Sequence, residues 1–214
     1  MSLPKVVERI EKACRRAGRD PGAVRLVAVT KEHTVAEIQE QVLRYGPFPL
    51  GESRIQEALP KMEALKAEWH FIGPLQRNKA KFAVRFDLIH SIDSVRLAEA
   101  VARKARENGR VQRVLLELNL GREPQKHGFL EEELPAALEL IRGLEGLRVE
   151  GLMTVAPYTQ DPETVRPIFA RLSRLADLYG LPERSMGMSG DFEVAVEEGA
   201  TLVRVGRAVF EPDA

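Results

Sequence analysis

Cysteine is nearly absent from this chain, which carries Cys14 and no second thiol. A single cysteine excludes an internal disulfide framework, and because no histidine stands nearby it argues against a structural zinc site. Cys14 falls in a segment of helical spacing, so we expect a small, buried, apolar side chain. The four histidines also lack the spacing of metal ligands. The sequence therefore predicts neither a disulfide scaffold nor a metal site.

Long hydrophobic runs and an excess of one charge are missing as well. No apolar run approaches the ~20 residues that cross a bilayer, and the N-terminus has no secretory hydrophobic stretch. The 32 Lys and Arg residues balance 32 Asp and Glu residues, which disfavours the broad positive surface of a nucleic-acid-binding protein. We therefore expect a cytoplasmic protein with neither a membrane nor a nucleic-acid partner, folded as a single domain over residues 1–214.

Strand-like and helix-like segments alternate along the whole chain. Capping patterns and amphipathic helices fall between the strands, and this alternation predicts a parallel sheet. Eight such units close a (β/α)8 TIM barrel. A doubly wound open sheet is the alternative, but it needs fewer strands and no glycine-rich dinucleotide turn follows the first one. The predicted strands cover residues 26–31, 48–51, 69–72, 88–92, 114–119, 149–153, 185–189 and 201–206.

Lys31 stands at the end of the first predicted strand. Thr34 and Glu37 directly after it have the spacing of a capping box, which places Lys31 in a turn between a strand and a helix. In α/β folds such turns line a shared crevice at the carboxyl ends of the strands. Position alone is nevertheless more typical of a solvated surface lysine, so other features have to decide the role of this amine.

Two glycine-containing turns follow the seventh and eighth predicted strands, where barrels commonly bind phosphate. One contains Gly187, Ser189 and Gly190, and the other contains Gly206 and Arg207. Glycine lets backbone N–H groups approach an anion, and Ser189 adds a hydroxyl donor. Either turn alone is typical of an ordinary tight turn, but the pair indicates a phosphate site. A lysine opposite such a site suggests a phosphorylated aldehyde, of which pyridoxal 5′-phosphate is the obvious example.

Six short runs spread along the chain resemble one known family. They are Ala28–Lys31, Gly51–Ser53 with Gln56 and Glu57, Trp69–Gln76 with Asn78 and Lys79, Gly151–Met153, Gly187–Ser189 with Asp191, and Val203–Gly206 with Phe210. In these runs the chain resembles the pyridoxal phosphate homeostasis protein family. The resemblance implies a single barrel like the N-terminal domain of alanine racemase, with bound pyridoxal 5′-phosphate. It further implies a carrier and regulator of vitamin B6 and amino-acid pools, with apo pyridoxal-phosphate enzymes as partners and no established catalysis.

Carried over by position, the resemblance assigns roles to individual residues. It makes Lys31 the Schiff-base lysine, puts the phosphate against Ser189, Gly206 and Arg207, and points Arg204 at the pyridine nitrogen. Because a guanidinium only donates hydrogen bonds, the ring nitrogen would stay unprotonated and the cofactor would be a poor electron sink. Strong carbanion chemistry is thereby discouraged, and the resemblance implies no catalytic residue.

Two residues depart from the family pattern. Many relatives have asparagine where Ser53 stands, so a contact from Ser53 to the cofactor ring would use a shorter side chain. Many also have threonine where Arg207 stands. Arg207 could give the phosphate a side-chain cation, or it could point away and leave only its backbone N–H.

Other functions and assembly states stay open at this point. An amino-acid racemase on the same barrel needs acid and base groups on both faces of the Cα carbanion. Alanine racemase takes the second group, a tyrosine, from an added domain, whereas this chain ends at Ala214; that favours the carrier unless Tyr45 or Tyr158 substitutes. A phosphate-binding barrel isomerase without an aldehyde cofactor is a third alternative. Monomer and homodimer are both compatible with the sequence.

The histidines are weighed against ordinary structural roles. His70 and His90 fall within predicted apolar strands, so we expect hydrogen-bonded barrel residues rather than catalytic bases. His33 and His127 are expected in loops.

Overall fold

The computed structural model describes residues 1–211, in which eight parallel strands close into a barrel. Each strand pairs with the next along the chain, and β8 (Leu202–Val205) returns to pair with β1 (Arg25–Val29). This closure confirms the TIM barrel and excludes the open doubly wound sheet. The strands between them are β2 (Leu50–Glu52), β3 (Trp69–Phe71), β4 (Leu88–Ile92), β5 (Gln112–Leu118), β6 (Leu147–Thr154) and β7 (Glu183–Ser185).

Helices cover the outside of the barrel. In α1 (Leu3–Arg16) the residues Val6, Ile10 and Ala13 are buried at helical spacing, and Cys14 is buried beside them as expected. Among residues 1–211, no helix is both long and apolar enough to cross a membrane. The further helices are α2 (Val35–Gln41), α3 (Ile55–Ala64), α4 (Ala80–Ala83), α5 (Val95–Glu107), α6 (Leu134–Arg142), α7 (Arg166–Leu178), α8 (Phe192–Glu197) and α9 (Arg207–Phe210).

The strands separate two apolar cores. Successive side chains of a strand point to opposite faces, so Leu26 of β1 joins the large core under the helices while Val27 points into the barrel. The interior is thus a packed layer rather than a channel. Its apolar residues are Val27, Leu88, Leu115, Met153 and Leu202.

The predicted strand bounds lie within two residues of the observed bounds except at the end of the seventh strand, and the connection after β3 is irregular. The seventh strand was expected at residues 185–189 but ends at Ser185, because Gly187 adopts a φ of +93° that a strand cannot accommodate. The segment after β3 forms a 3₁₀ turn at Arg77–Lys79 followed by the short α4, and no side chain caps either piece. Both differences concern connections rather than the order of strands.

Candidate functional site

A cavity of about 610 Å³ opens at the carboxyl ends of the barrel strands. Every site residue that the sequence indicates lies along its lining, although these residues come from four different strand ends and span most of the chain. Their roles toward a cofactor stay predictions. The six residues are Lys31, Ser53, Ser189, Arg204, Gly206 and Arg207.

Lys31 occupies the turn between β1 and α2. Thr34 and Glu37 form the predicted capping box at the start of α2, in which the Thr34 N–H donates to Glu37 Oε2 at 2.7 Å and the Glu37 N–H donates to Thr34 Oγ1 at 3.3 Å. Between Lys31 and the capping box, Glu32 adopts a φ of +65°, which turns the chain away from the strand. The Lys31 side chain is exposed to the cavity, and within residues 1–211 its amine makes no hydrogen bond or ion pair.

A buried ion pair supports this turn. Glu52 Oε1 accepts hydrogen bonds from Thr30 Oγ1 and Lys61 Nζ, each at 2.6 Å, and Lys61 Nζ also donates to the Thr30 carbonyl at 2.7 Å. Because Thr30 directly precedes Lys31, these contacts fix the backbone from which the Lys31 amine extends. The sequence did not reveal the pair, since Glu52 ends β2 and Lys61 lies on α3 with no capping or helical spacing between them.

Arg204 reaches the cavity from β8 and is only 4% exposed. Its Nη1 donates to Ser185 Oγ at 2.6 Å and its Nη2 donates to the Thr154 carbonyl at 3.0 Å. Burial lowers the pKa of the guanidinium to about 10, and the nearby Glu117 and Asp191 carboxyls oppose that shift. Arg204 therefore stays cationic at neutral pH. Because a guanidinium has five N–H groups, it keeps donors for a ligand.

Two partly buried carboxyl groups flank Arg204. Burial raises the pKa of Glu117, and the neighbouring Asp93 carboxylate raises it further. Burial also raises the pKa of Asp191, against the hydrogen bond that its Oδ1 accepts from the Met188 N–H at 2.6 Å. Burial thus makes the ionised form of both carboxyl groups less favourable here than it is in water.

The turns after β7 and β8 present their backbone to the cavity. Within residues 1–211 the N–H groups of Ser189, Gly190, Gly206 and Arg207 donate to no acceptor. A Cβ on Gly206 would lie 3.2 Å from the Val29 Cβ, so glycine lets this turn lie against β1, whereas a Cβ on Gly190 would meet nothing within 4 Å. A group of unpaired backbone donors of this kind suits an anion such as phosphate.

Ser53 lies on the cavity wall after β2, but it does not cap the next helix. The spacing of Ser53 and Gln56 predicts a capping box, but this prediction is wrong: α3 begins after Arg54, which makes no side-chain cap. The Ser53 backbone instead packs on Gly73, where a Cβ would overlap the Ser53 carbonyl oxygen and lie 2.6 Å from its Cα. This close approach of two strand ends requires glycine and holds Ser53 at the wall.

One wall of the cavity comes from loops that the sequence did not place there. Lys126, in the loop after β5, donates to the carbonyls of Val155 and Ala156 at 3.3 and 3.0 Å and pairs with Glu123 at 2.5 Å. Tyr158, 92% exposed, lies at the rim. The available signal was the length of the loop between β5 and α6, because long loops at this end of a barrel fold over its mouth.

The two buried histidines have structural positions in the barrel interior, and only one of the two tyrosines considered for an acid–base role lines the cavity. His70 and His90 are fully buried and hydrogen-bonded, His90 Nε2 lying 2.9 Å from His70 Nδ1, which confirms the expectation for barrel residues. Burial holds the pKa of His90 well below its usual value, with the adjacent His70 ring and the Arg204 charge adding to the shift. Tyr45 lies at the opposite end of the barrel, so of the two tyrosines only Tyr158 reaches the cavity.

Comparison with known proteins agrees with this geometry. The family model of the alanine racemase N-terminal domain matches residues 1–212. The pyridoxal phosphate homeostasis protein of Deinococcus radiodurans is 51% identical over 98% of this chain and all of the relative, and that of Aquifex aeolicus is 45% identical over 97% and 95%. PipY of Synechococcus elongatus, solved with pyridoxal phosphate bound, superposes with a TM-score of 0.80 at 35% identity, covering 95% of this chain and 100% of PipY. This chain therefore belongs to the family of pyridoxal phosphate homeostasis proteins, built on the barrel of the alanine racemase N-terminal domain.

Proposed function

We propose that this protein binds pyridoxal 5′-phosphate and takes part in its homeostasis as a carrier rather than as an enzyme. One observation carries the proposal: a single cavity combines an unpaired lysine amine, a buried guanidinium and a group of unpaired backbone donors. The family relatives named for this role, and PipY with the cofactor bound, support it.

The donor set fits the cofactor group by group. Pyridoxal 5′-phosphate supplies an electrophilic aldehyde on an aromatic ring that can accept electrons. We assign the amine for the aldehyde to Lys31 and the hydrogen bond to the pyridine nitrogen to Arg204, while the two turns bind the phosphate. The proposed contacts are Lys31, Ser53, Ser189, Arg204, Gly206 and Arg207.

Arg204 also supports the absence of catalysis. It remains cationic and can only donate, so it does not provide a proton acceptor that would stabilise a protonated ring nitrogen. An unprotonated ring is a weak electron sink, which disfavours removal of a proton from an amino-acid Cα. The protein is then suited to hold the cofactor and release it to apo forms of pyridoxal-phosphate enzymes.

Absorbance and covalent trapping test the binding site. The protein titrated with pyridoxal 5′-phosphate should develop a band near the visible edge, and borohydride followed by peptide mass mapping should find the cofactor mass on Lys31. Lys31→Ala should abolish both signals. Lys126→Ala, at the other cavity lysine, is the matched control and should keep them. A band that survives in Lys31→Ala, or a cofactor trapped on Lys126, would contradict the assignment.

A second experiment separates carrier from racemase. Cofactor-loaded protein incubated with single amino-acid enantiomers should produce none of the opposite enantiomer on chiral analysis. When the loaded protein is mixed with the apo form of a pyridoxal-phosphate enzyme, that enzyme should gain activity. Racemisation that disappears in Tyr158→Phe would overturn the carrier proposal and make Tyr158 the second acid–base group.

A further inference from the structure

Five side chains form a continuous hydrogen-bonded row through the barrel interior, which we call the buried chain. Its members are Glu68, His70, His90, Ser185 and Arg204. The successive distances are 2.9 Å from Glu68 Oε1 to His70 Nε2, 2.9 Å between the histidines, 2.7 Å from His90 Nδ1 to Ser185 Oγ and 2.6 Å from Ser185 Oγ to Arg204 Nη1. The row begins just before β3 and ends on β8 at the cavity, so it links the two ends of the barrel.

The two ends and the Ser185 hydroxyl together determine the direction of every hydrogen bond in the row. Arg204 can only donate, and Glu68, whose pKa is lowered to about 2 chiefly by the bond to His70, is an ionised acceptor at neutral pH. His70 therefore donates from Nε2 to Glu68, and as a neutral ring it accepts at Nδ1. His90 must likewise donate from Nε2 and accept at Nδ1 from the Ser185 hydroxyl, whose oxygen accepts from Arg204.

The reverse arrangement fails at Ser185. If His70 donated from both ring nitrogens, His90 would have to accept at Nε2 and donate from Nδ1 to Ser185 Oγ. Ser185 would then receive two donors, and its own hydrogen would have no acceptor within residues 1–211. Ser185 is fully buried, so this defect would cost a full hydrogen bond. Only one orientation satisfies all five side chains.

We infer that this one-way chain positions Arg204 for the pyridine ring of the cofactor, so that a carboxylate at the far end of the barrel controls the cofactor site. The inference rests on the proposed function. Two Arg204 N–H groups are used, one on Ser185 and one on the Thr154 carbonyl, and the guanidinium plane is thereby fixed with its remaining donors available to the cavity. Ser185, His90, His70 and Glu68 are positioning residues.

Glu68 anchors the far end of the chain. Arg25 Nη1 lies 3.3 Å from both Glu68 oxygens, and Arg113 Nη1 lies 3.7 Å from Oε1. These ion pairs hold the carboxylate where His70 can reach it, at the amino end of the barrel, which in this fold is otherwise associated with stability rather than with ligands.

The cofactor-free protein gives the first test. Nitrogen-15 NMR of the imidazole rings should show His70 and His90 as neutral rings with the hydrogen on Nε2. In Ser185→Ala the His90 Nδ1 resonance should shift toward that of an acceptor without a donor, whereas Ser185→Thr, which keeps the hydroxyl, should restore the wild-type value. An Nδ1–H tautomer at either ring in the wild-type protein would overturn the inference.

Cofactor binding gives the second test. Ser185→Ala should raise the Kd for pyridoxal 5′-phosphate about tenfold, as expected for loss of one charge-assisted bond, and should move the absorption maximum. Ser185→Thr should restore both. Leu138→Ala is the control, because Leu138 packs in the apolar core under the helices and is not a member of the buried chain. This variant should lower the stability of the protein and leave the absorption spectrum of the bound cofactor unchanged.

The far end is tested by a pair of Glu68 variants. Glu68→Leu removes the acceptor of His70 and should alter the spectrum of the bound cofactor, whereas Glu68→Gln keeps an acceptor oxygen and should preserve it while losing the ion pairs with Arg25 and Arg113. If wild-type protein binds no cofactor, the proposed function and this inference both fail. If it binds and Ser185→Ala and Glu68→Leu match it in Kd and spectrum, only the inference fails.

Discussion

Single residues at this site depend on buried charges with few partners. The carboxylate nearest the Lys31 turn is paired with another lysine: Lys61 pairs with Glu52, leaving Glu52 Oε2 without a partner among the described atoms. A buried carboxylate that already has one oxygen without a partner strongly destabilises the folded state if its cation is removed. Lys31, the proposed Schiff-base lysine, and Lys61 of α3 thus have opposite environments, since the first is exposed to the cavity and the second is paired with a buried carboxylate.

We expect Lys61→Met to destabilise the protein by about 3–5 kcal/mol, because it leaves Glu52 buried without a cation. Urea unfolding measures the change. Glu52→Gln combined with Lys61→Met should recover part of the loss, and Lys66→Met, at an exposed lysine, should change little. A double variant no more stable than Lys61→Met alone would show that the pair is not the source of the effect.

Gly73→Ala should cost at least about 2 kcal/mol, because its Cβ would collide with the Ser53 backbone. It should also displace Ser53 and weaken cofactor binding. Thermal unfolding and a cofactor titration measure the two effects. Gly190→Ala is the control, since a Cβ there meets nothing and the change in stability should stay within about 0.5 kcal/mol. Equal stability of the two variants would contradict the steric explanation.

At the scale of elements, the sequence correctly predicted strands and helix ends whose signals lie in the spacing of neighbouring residues. β4 has the predicted bounds, and the capping box at Thr34 is present because Glu37 lies three residues on. The start of β7 was misplaced because its polar residues pair with residues of other elements: Thr201 Oγ1 donates to Glu183 at 2.6 Å, and Arg184 pairs with Asp177. No apolar alternation marks such a strand.

The site shows the same division. Lys31, Ser189 and Gly206 could be predicted because strand ends converge in a barrel whatever their side chains do. The buried chain could not, since His90 and Ser185 are 95 positions apart and neither residue type identifies its partner. Long-range polar pairing requires coordinates, whereas the position of a turn requires only the order of elements.

The amino ends of β1, β3 and β5 meet at Glu68, and this junction should make the stability of the protein depend on pH in the acidic range. The pKa of Glu68 is about 2, below its ordinary 4.5, mainly through the His70 hydrogen bond with Arg25 adding. The folded state therefore binds this proton more weakly than the unfolded state. The stability from Glu68 is present above pH 4.5 and lost as the pH falls from about 4.5 to about 2.

Unfolding free energies of wild type and Glu68→Gln, measured by urea between pH 3 and 6, check this. The advantage of wild type should be largest at pH 5 to 6 and should shrink steadily toward pH 3. The other carboxyl groups titrate in both proteins and cancel in the difference. A difference that is constant or that grows on acidification would contradict the shifted pKa.

In the molecule as a whole, the extent of pairing between neighbouring strands differs around the barrel. β5 and β6 are registered from Gln112 through Leu118, whereas β7 and β8 share one registered pair, Ser185 with Leu202, and three backbone hydrogen bonds around it. The side-chain bond between Ser185 and Arg204 crosses this narrow seam and supplements it. Ser185 therefore contributes both to the contact between β7 and β8 and to the hydrogen bonding of Arg204 at the cavity.

Hydrogen exchange should reveal this unevenness. In the cofactor-free protein we expect the slowest amide exchange in β5 and β6 and the fastest strand exchange in β7, because fewer ladder bonds must open there. Mass spectrometry of peptides covering these strands measures the rates. Uniform protection around the barrel, or faster exchange in β5 than in β7, would contradict the expectation.

The single orientation of the buried chain has an electrostatic consequence. Its O–H and N–H bonds are dipoles aligned head to tail, with the negative end of the row at Arg204 and the positive end at Glu68. Each end stabilises the opposite charge it touches, so a cation and an anion compensate each other across the interior of the protein. The electric field at the cavity is consequently preorganised before any ligand enters, and binding need not reorient it.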